Sequence, residues 1–96
     1  MAMKLITPSD LKMNYADFRN ICAEKLEESA NEWKNEKFEY RDRYIKAWVN
    51  INPYLITEGY INGLKRELEE VGWQDVDIRY INDNYNTEKL FISVYF

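Results

Sequence analysis

Between residues 44 and 51 the side chains change character at every step, with Ile45, Ala47, Val49 and Ile51 alternating with Tyr44, Lys46, Trp48 and Asn50. A period of two predicts a β-strand with one face turned to a core. Residues 75–81 repeat the pattern, setting Val76, Ile78 and Tyr80 against Asp77, Arg79 and Ile81, and predict a second strand. In the closing stretch, 88–96, Leu90, Ile92, Val94 and Phe96 lie on one face and Phe91 and Tyr95 on the other. A strand that is apolar or aromatic on both sides fits a central position better than an exposed edge.

Two stretches run at helical spacing instead. Leu11, Tyr15, Phe18, Cys22, Leu26, Ala30 and Trp33 recur at steps of three and four, behind a helix entry Thr7-Pro8-Ser9-Asp10 with threonine to cap, proline at the first position and an acid at the third. They predict a helix over residues 8–35, about 40 Å long and able to overhang the domain. The second helix is expected between a cap at Thr57, with Ile56 stapled to Ile61, and a left-handed ending at Gly72. Its core stripe is Ile61, Leu64, Leu68 and Val71, and Trp73 would fold back on Leu68. Gly59 and Gly63 inside it call for close packing in compensation. Asn52-Pro53 ends the first strand, and Asn82-Asp83-Asn84-Tyr85-Asn86 reads as a hairpin loop.

The order is helix, strand, helix, strand, strand: an α+β fold in a single domain over residues 1–96. A three-stranded, mainly antiparallel sheet is expected, with the C-terminal strand inserted between the other two, which puts the most hydrophobic strand at the centre. Both helices would cover one face, on Ile45/Val49, Val76/Ile78 and Leu90/Ile92/Val94.

Composition narrows the functional classes. Ninety-six residues, 46% hydrophobic and 16% aromatic, suit one folded domain. Thirteen basic against seventeen acidic residues give a net charge of −4, the wrong sign for a binder of duplex nucleic acid. No apolar run approaches the roughly 18–20 residues of a membrane span, and Leu5-Ile6 leads into a helix start rather than a signal peptide, so a cytoplasmic location is expected. There is no histidine for acid–base work, no glycine-rich phosphate loop and no Cys/His ligand set. An enzyme is therefore not expected, nor a cofactor or metal; Asp75, Asp77 and Asp83 could bind a hard cation if the hairpin gathered them, but a scatter of acids near a turn reads rather as solvated surface. The single cysteine, Cys22, lies in the helical core stripe and reads as a small core residue rather than a nucleophile, since no histidine is there to activate it.

Two features suggest binding. The sheet face away from the helices would carry Tyr44, Trp48, Phe91 and Tyr95, with Lys46, Arg79 and Asn50 among them. Either Phe38-Glu39-Tyr40 folds back over this face, or a helix lies on each side of the sheet, or the face meets a partner. The partner classes left open are a second copy or another protein, stacked single-stranded RNA, and a small molecule or nucleotide. Separately, Glu24, Glu28, Glu32 and Glu36 form a row of like charges, either a solvated helix face or a docking stripe for a basic surface.

Across nearly its whole length the chain resembles a class of small accessory proteins encoded by large lytic tailed phages. The likeness rests on Ile6-Thr7-Pro8, the long amphipathic helix, the short strand, the capped helix ending in Glu69-Glu70-Val71-Gly72-Trp73 and the terminal hairpin. It implies a phage context and a host-cell location. With it the expectation is a small non-enzymatic interaction protein that binds and modulates a host protein, with a structural or virion-associated oligomer as the alternative.

Overall fold

In the structure, a computed structural model that describes residues 5–35, 43–82 and 88–96, the elements fall in the expected order. They are α1 (Tyr15–Asn35), β1 (Tyr44–Val49), α2 (Glu58–Glu70), β2 (Gln74–Asn82) and β3 (Glu88–Tyr95), with short 3-10 turns at Pro8–Leu11 and Pro53–Leu55. The strands form one sheet in the order β1-β3-β2, and both pairings are antiparallel. β3 is therefore central, and its Leu90, Ile92 and Val94 are almost wholly excluded from solvent.

The helices share the face onto which these side chains point. Phe18 and Cys22 of α1 and Leu64 of α2 join Ile45, Val49, Ile51, Ile56, Val76, Ile78, Leu90, Ile92 and Val94 in one core cluster. Burial pushes the Cys22 thiol up to about 12 and keeps it protonated, consistent with a packing role.

Helix α1 starts later than the punctuation at Thr7 predicts. Thr7-Pro8-Ser9-Asp10 forms only a single 3-10 turn, closed by the Asp10 carboxylate accepting from the Thr7 N–H at 2.8 Å. The chain then straightens at Lys12, and the helix is capped by Asn14, whose Oδ1 accepts from the Asp17 N–H at 2.8 Å. The interruption has a tertiary cause. The Met13 N–H donates to the Leu55 carbonyl at 2.9 Å, Lys12 Nζ donates to the Tyr54 carbonyl and the Tyr60 hydroxyl donates to the Met13 carbonyl. These bonds hold 12–13 as an extended link to the entrance of α2. Leu11 is consequently 63% exposed and not a core residue, while Tyr15, Leu26, Ala30 and Trp33 pack on the core as expected. At the far end Trp33 meets Phe96 edge-on at 5.1 Å, and Phe96 also meets Trp73, so α1 stays docked as far as Trp33.

Helix α2 begins behind Thr57, although the hydroxyl there makes no capping bond and only the Thr57 carbonyl accepts from the Tyr60 N–H. Its end is a Schellman motif: the Trp73 N–H donates to the Leu68 carbonyl, the Gly72 N–H donates to the Glu69 carbonyl, and Gly72 has φ +111°. A Cβ at Gly63 would stand 3.4 Å from the Tyr15 hydroxyl, which locates the close helix–helix approach at this glycine.

Two strands differ from expectation at their starts or ends. β1 stops at Val49, and the buried Ile51 leads instead into the turn capped by Asn52, whose side chain accepts from the Tyr54 N–H. β2 starts at Gln74 and carries a bulge between Gln74 and Asp77, with Asp75 at φ +47°. Asn82 ends β2, and the rest of the expected loop lies outside the described residues, as does Phe38-Glu39-Tyr40.

Candidate functional site

The alternation that buries Ile45, Ala47 and Val49 must turn Tyr44, Lys46 and Trp48 outward, and the antiparallel register decides what each of them stands beside. Tyr44 pairs with Tyr95, Lys46 with Ser93 and Trp48 with Phe91 across β1 and β3. On the other side of β3, Asp77 pairs with Ser93, Arg79 with Phe91 and Ile81 with Lys89. The face is thus ruled into cross-strand rows. One row is Tyr44 and Tyr95, the next is Lys46, Ser93 and Asp77, and the third is Trp48, Phe91 and Arg79. Ile81 and Lys89 lie beyond the third.

All six residues expected at a partner-binding surface, Tyr44, Lys46, Trp48, Arg79, Phe91 and Tyr95, come together here, and with Asp77, Ile81 and Ser93 they line one shallow depression. The aromatics occur as two cross-strand couples. Tyr44 and Tyr95 have ring centroids 5.2 Å apart, and Trp48 and Phe91 are 4.8 Å apart. Each couple shields part of its own surface and still presents a wide apolar area, with Trp48 47% and Tyr95 39% exposed. Between the two couples the floor drops at Ser93, a small side chain in a row of large ones and only 6% exposed. Lys46 stands at one end of this low row and Asp77 at the other, where the Asp77 carboxylate and Arg79 Nε form an ion pair at 3.2 Å. Among the described residues both helices lie on the opposite side of the sheet.

The alternation singles out neither Ser93 nor Asp77, which reads in the sequence as one of three acids either gathered around a cation or left in solvent. The signal at Ser93 was present, since it is the small polar residue in an otherwise bulky strand, but its meaning as a floor depends on register.

The acidic row stands elsewhere. Glu24, Glu28 and Glu32 are exposed on α1, two positions out of phase with the buried Phe18 and Cys22 and so on the far side of the helix from the core. Glu36 lies outside the described residues. Lys25 offsets the row locally, with its Nζ 3.4 Å from the Glu28 carboxylate. The aromatic face and this row look in opposite directions and cannot form one site.

A third polar cluster ties the helices to each other. Glu67 of α2 accepts from the Tyr15 hydroxyl and, at 2.9 Å, from Arg19 Nε, both on α1. The hydrogen bonds from Tyr15 and then Arg19 hold the Glu67 carboxyl below its usual range. Burial, followed by the bond to Glu67, pushes the Tyr15 hydroxyl up to about 12. The cluster braces the helix pair and is remote in chain and face from the aromatic surface.

Among the described residues no group of three or more His, Cys, Asp or Glu side chains is placed to hold a metal ion, and no helix is long and apolar enough to cross a membrane. Asp77 is engaged with Arg79, and Asp75 sits at the bulge. The fold and face together define a three-stranded antiparallel sheet with helices packed on one side and paired aromatics on the other. No protein-family model, curated protein or solved structure matches the chain.

Proposed function

We propose that this chain is a small non-enzymatic interaction protein whose protein-binding surface is the aromatic face of its sheet. The observation that carries the reading is the pairing of two large aromatic couples, each with one exposed ring, around a low polar row on a face with no helix of the described residues over it. Interfaces are enriched in such rings because they bury much area at little entropic cost, and a ring of this size has little reason to stay wet otherwise. The resemblance to phage accessory proteins supports a host protein as the eventual target of the activity. The test is association of the purified chain and co-purification from host lysate, each compared with Trp48→Ser/Tyr95→Ser. Wild type should retain a stoichiometric protein partner, itself or another, that the folded double variant loses. Equal association by both would remove the face from the interface.

A further inference from the structure

Building on that reading of the face, we infer that its partner is a second copy of the same face, paired about a twofold axis that runs along β3. Two sheets stacked face to face can be related only by an axis lying in the plane between them, and the charges choose its direction. An axis across the strands through Ser93 would set Lys46 on Lys46 and Asp77 on Asp77. An axis along β3 exchanges the β1 and β2 sides while keeping each row at its own level. Lys46 then stands opposite Asp77 of the partner copy, twice over, because the register puts both in the Ser93 row on either side of β3. By the same operation Trp48 faces Arg79 of the partner copy, a cation over a ring. Phe91 and Tyr95, on the axis, face their own counterparts.

The relief of the face suits this arrangement. Stacked sheets lie about 10 Å apart, a gap that the opposed aromatic rows fill and that Ser93 leaves open between them. Lysine and aspartate side chains reaching from opposite sheets meet within that slot, flanked by rings that keep out water and so strengthen the pair. Asp77 already holds Arg79 Nε at 3.2 Å and remains about half exposed, with acceptor capacity for a second cation. One like pair results, Lys89 on Lys89 beyond the third row, where the long stems carry the charges out past the rim.

Three strands about 4.8 Å apart and roughly seven residues in length give a face of roughly 350 Å² in projection. That puts the interface in the small class, so the dimer is reversible and its population depends on concentration.

The experiment is sedimentation equilibrium across a wide concentration series on wild type, Lys46→Glu, Asp77→Lys, an equimolar mixture of these two, and Trp48→Ser/Tyr95→Ser, with circular dichroism confirming that each is folded. Wild type should dimerise, and each single reversal, which brings like charges together twice, should weaken dimerisation at least about tenfold. The mixture should recover it, since the acid introduced at position 46 of one chain then meets the base introduced at position 77 of the other, while the native Lys46 and Asp77 complete the second pair. A wild type that stays monomeric at every concentration, or a mixture no tighter than its components, overturns the inference. Dimerisation lost in the aromatic variant but indifferent to the charge reversals would sink the axis and leave the face as an interface. Dimerisation indifferent to both would sink the face as well. If the chain is monomeric and instead shifts labelled single-stranded RNA through Trp48 and Tyr95, both the twofold pairing and the protein-binding reading fall.

Discussion

The two faces of β3 are built from adjacent residues and have opposite fates. Leu90, Ile92 and Val94 are at most 1% exposed, while Tyr95 between Val94 and the terminal Phe96 is 39% exposed. Both faces carry large hydrophobic side chains, Phe91 and Tyr95 alternating with Lys89 and Ser93 on the outward one, so the presence of such side chains alone does not mark the core here. The inward side chains are aliphatic and interlock with two helices; the outward ones are aromatic and pair with each other across strands. An aliphatic layer excludes water only when something covers it, whereas coupled rings carry polar edges and tolerate a wet boundary.

The sharpest way to break this contrast is to truncate one inward residue. Leu90→Ala removes a fully buried side chain from the middle of the sheet and should destabilise the protein by about 2–5 kcal/mol in urea denaturation. The outward counterpart, Trp48→Ser with Tyr95→Ser, should cost about 1–2 kcal/mol in the same assay, because only two half-exposed rings and their cross-strand couples are lost. If the outward pair costs as much as Leu90, the face is covered and no interface. At the edge of the inward layer, Gly72→Val should cost more than about 1 kcal/mol, since a β-branched residue resists the positive φ that ends α2 and turns Trp73 toward Phe96. Its Cβ would meet nothing within 4 Å, so a melting temperature unchanged from wild type would show that the backbone there is not constrained to the left-handed region.

The smallest expected effect tests the brace between the helices. Tyr15→Phe should cost about 1 kcal/mol or less through the lost bond to Glu67. Because the Tyr15 hydroxyl is raised from 10.0 to about 12, the folded state prefers it protonated, so its contribution is complete below pH 10 and fades as the pH climbs toward 12. Melting temperatures of wild type and Tyr15→Phe should converge over that interval; a constant difference would deny the hydrogen bond its role. At the acid end Glu67, held below its ordinary range, contributes above that range and loses its contribution as the pH falls through its lowered value.

The strand pattern was legible because a period of two is imposed by the backbone itself, and placing the most hydrophobic strand at the centre was enough to order the sheet. The end of α2 was legible for a similar reason, since Gly72 is where a left-handed residue is wanted, although Val71 just before it, expected in the core stripe, is 74% exposed. The start of α1 was not. Thr7-Pro8-Ser9-Asp10 is as good a local entry as Asn14, and the choice between them is made by bonds from Lys12 and Met13 to Tyr54 and Leu55, 42 residues away in the chain, which no local rule contains. The bulge at Asp75 was equally hidden, because an aspartate there gives weaker notice of positive φ than a glycine would. For the face, alternation alone gathered Tyr44, Trp48, Phe91 and Tyr95, but the low row between them appears only once Lys46, Ser93 and Asp77 are set level by pairing.

The strand order has a kinetic side. β1 and β2 never touch as hydrogen-bonded neighbours; each pairs only with β3. Until residues 88–96 are available, the backbone of β1 has no strand to pair with, although a whole helix and a second strand have been added in between. Pairing of β1 with β3 at this sequence separation slows folding relative to a sheet of consecutive hairpins. A chain ending before Glu88 would leave both outer strands without a hydrogen-bonding partner.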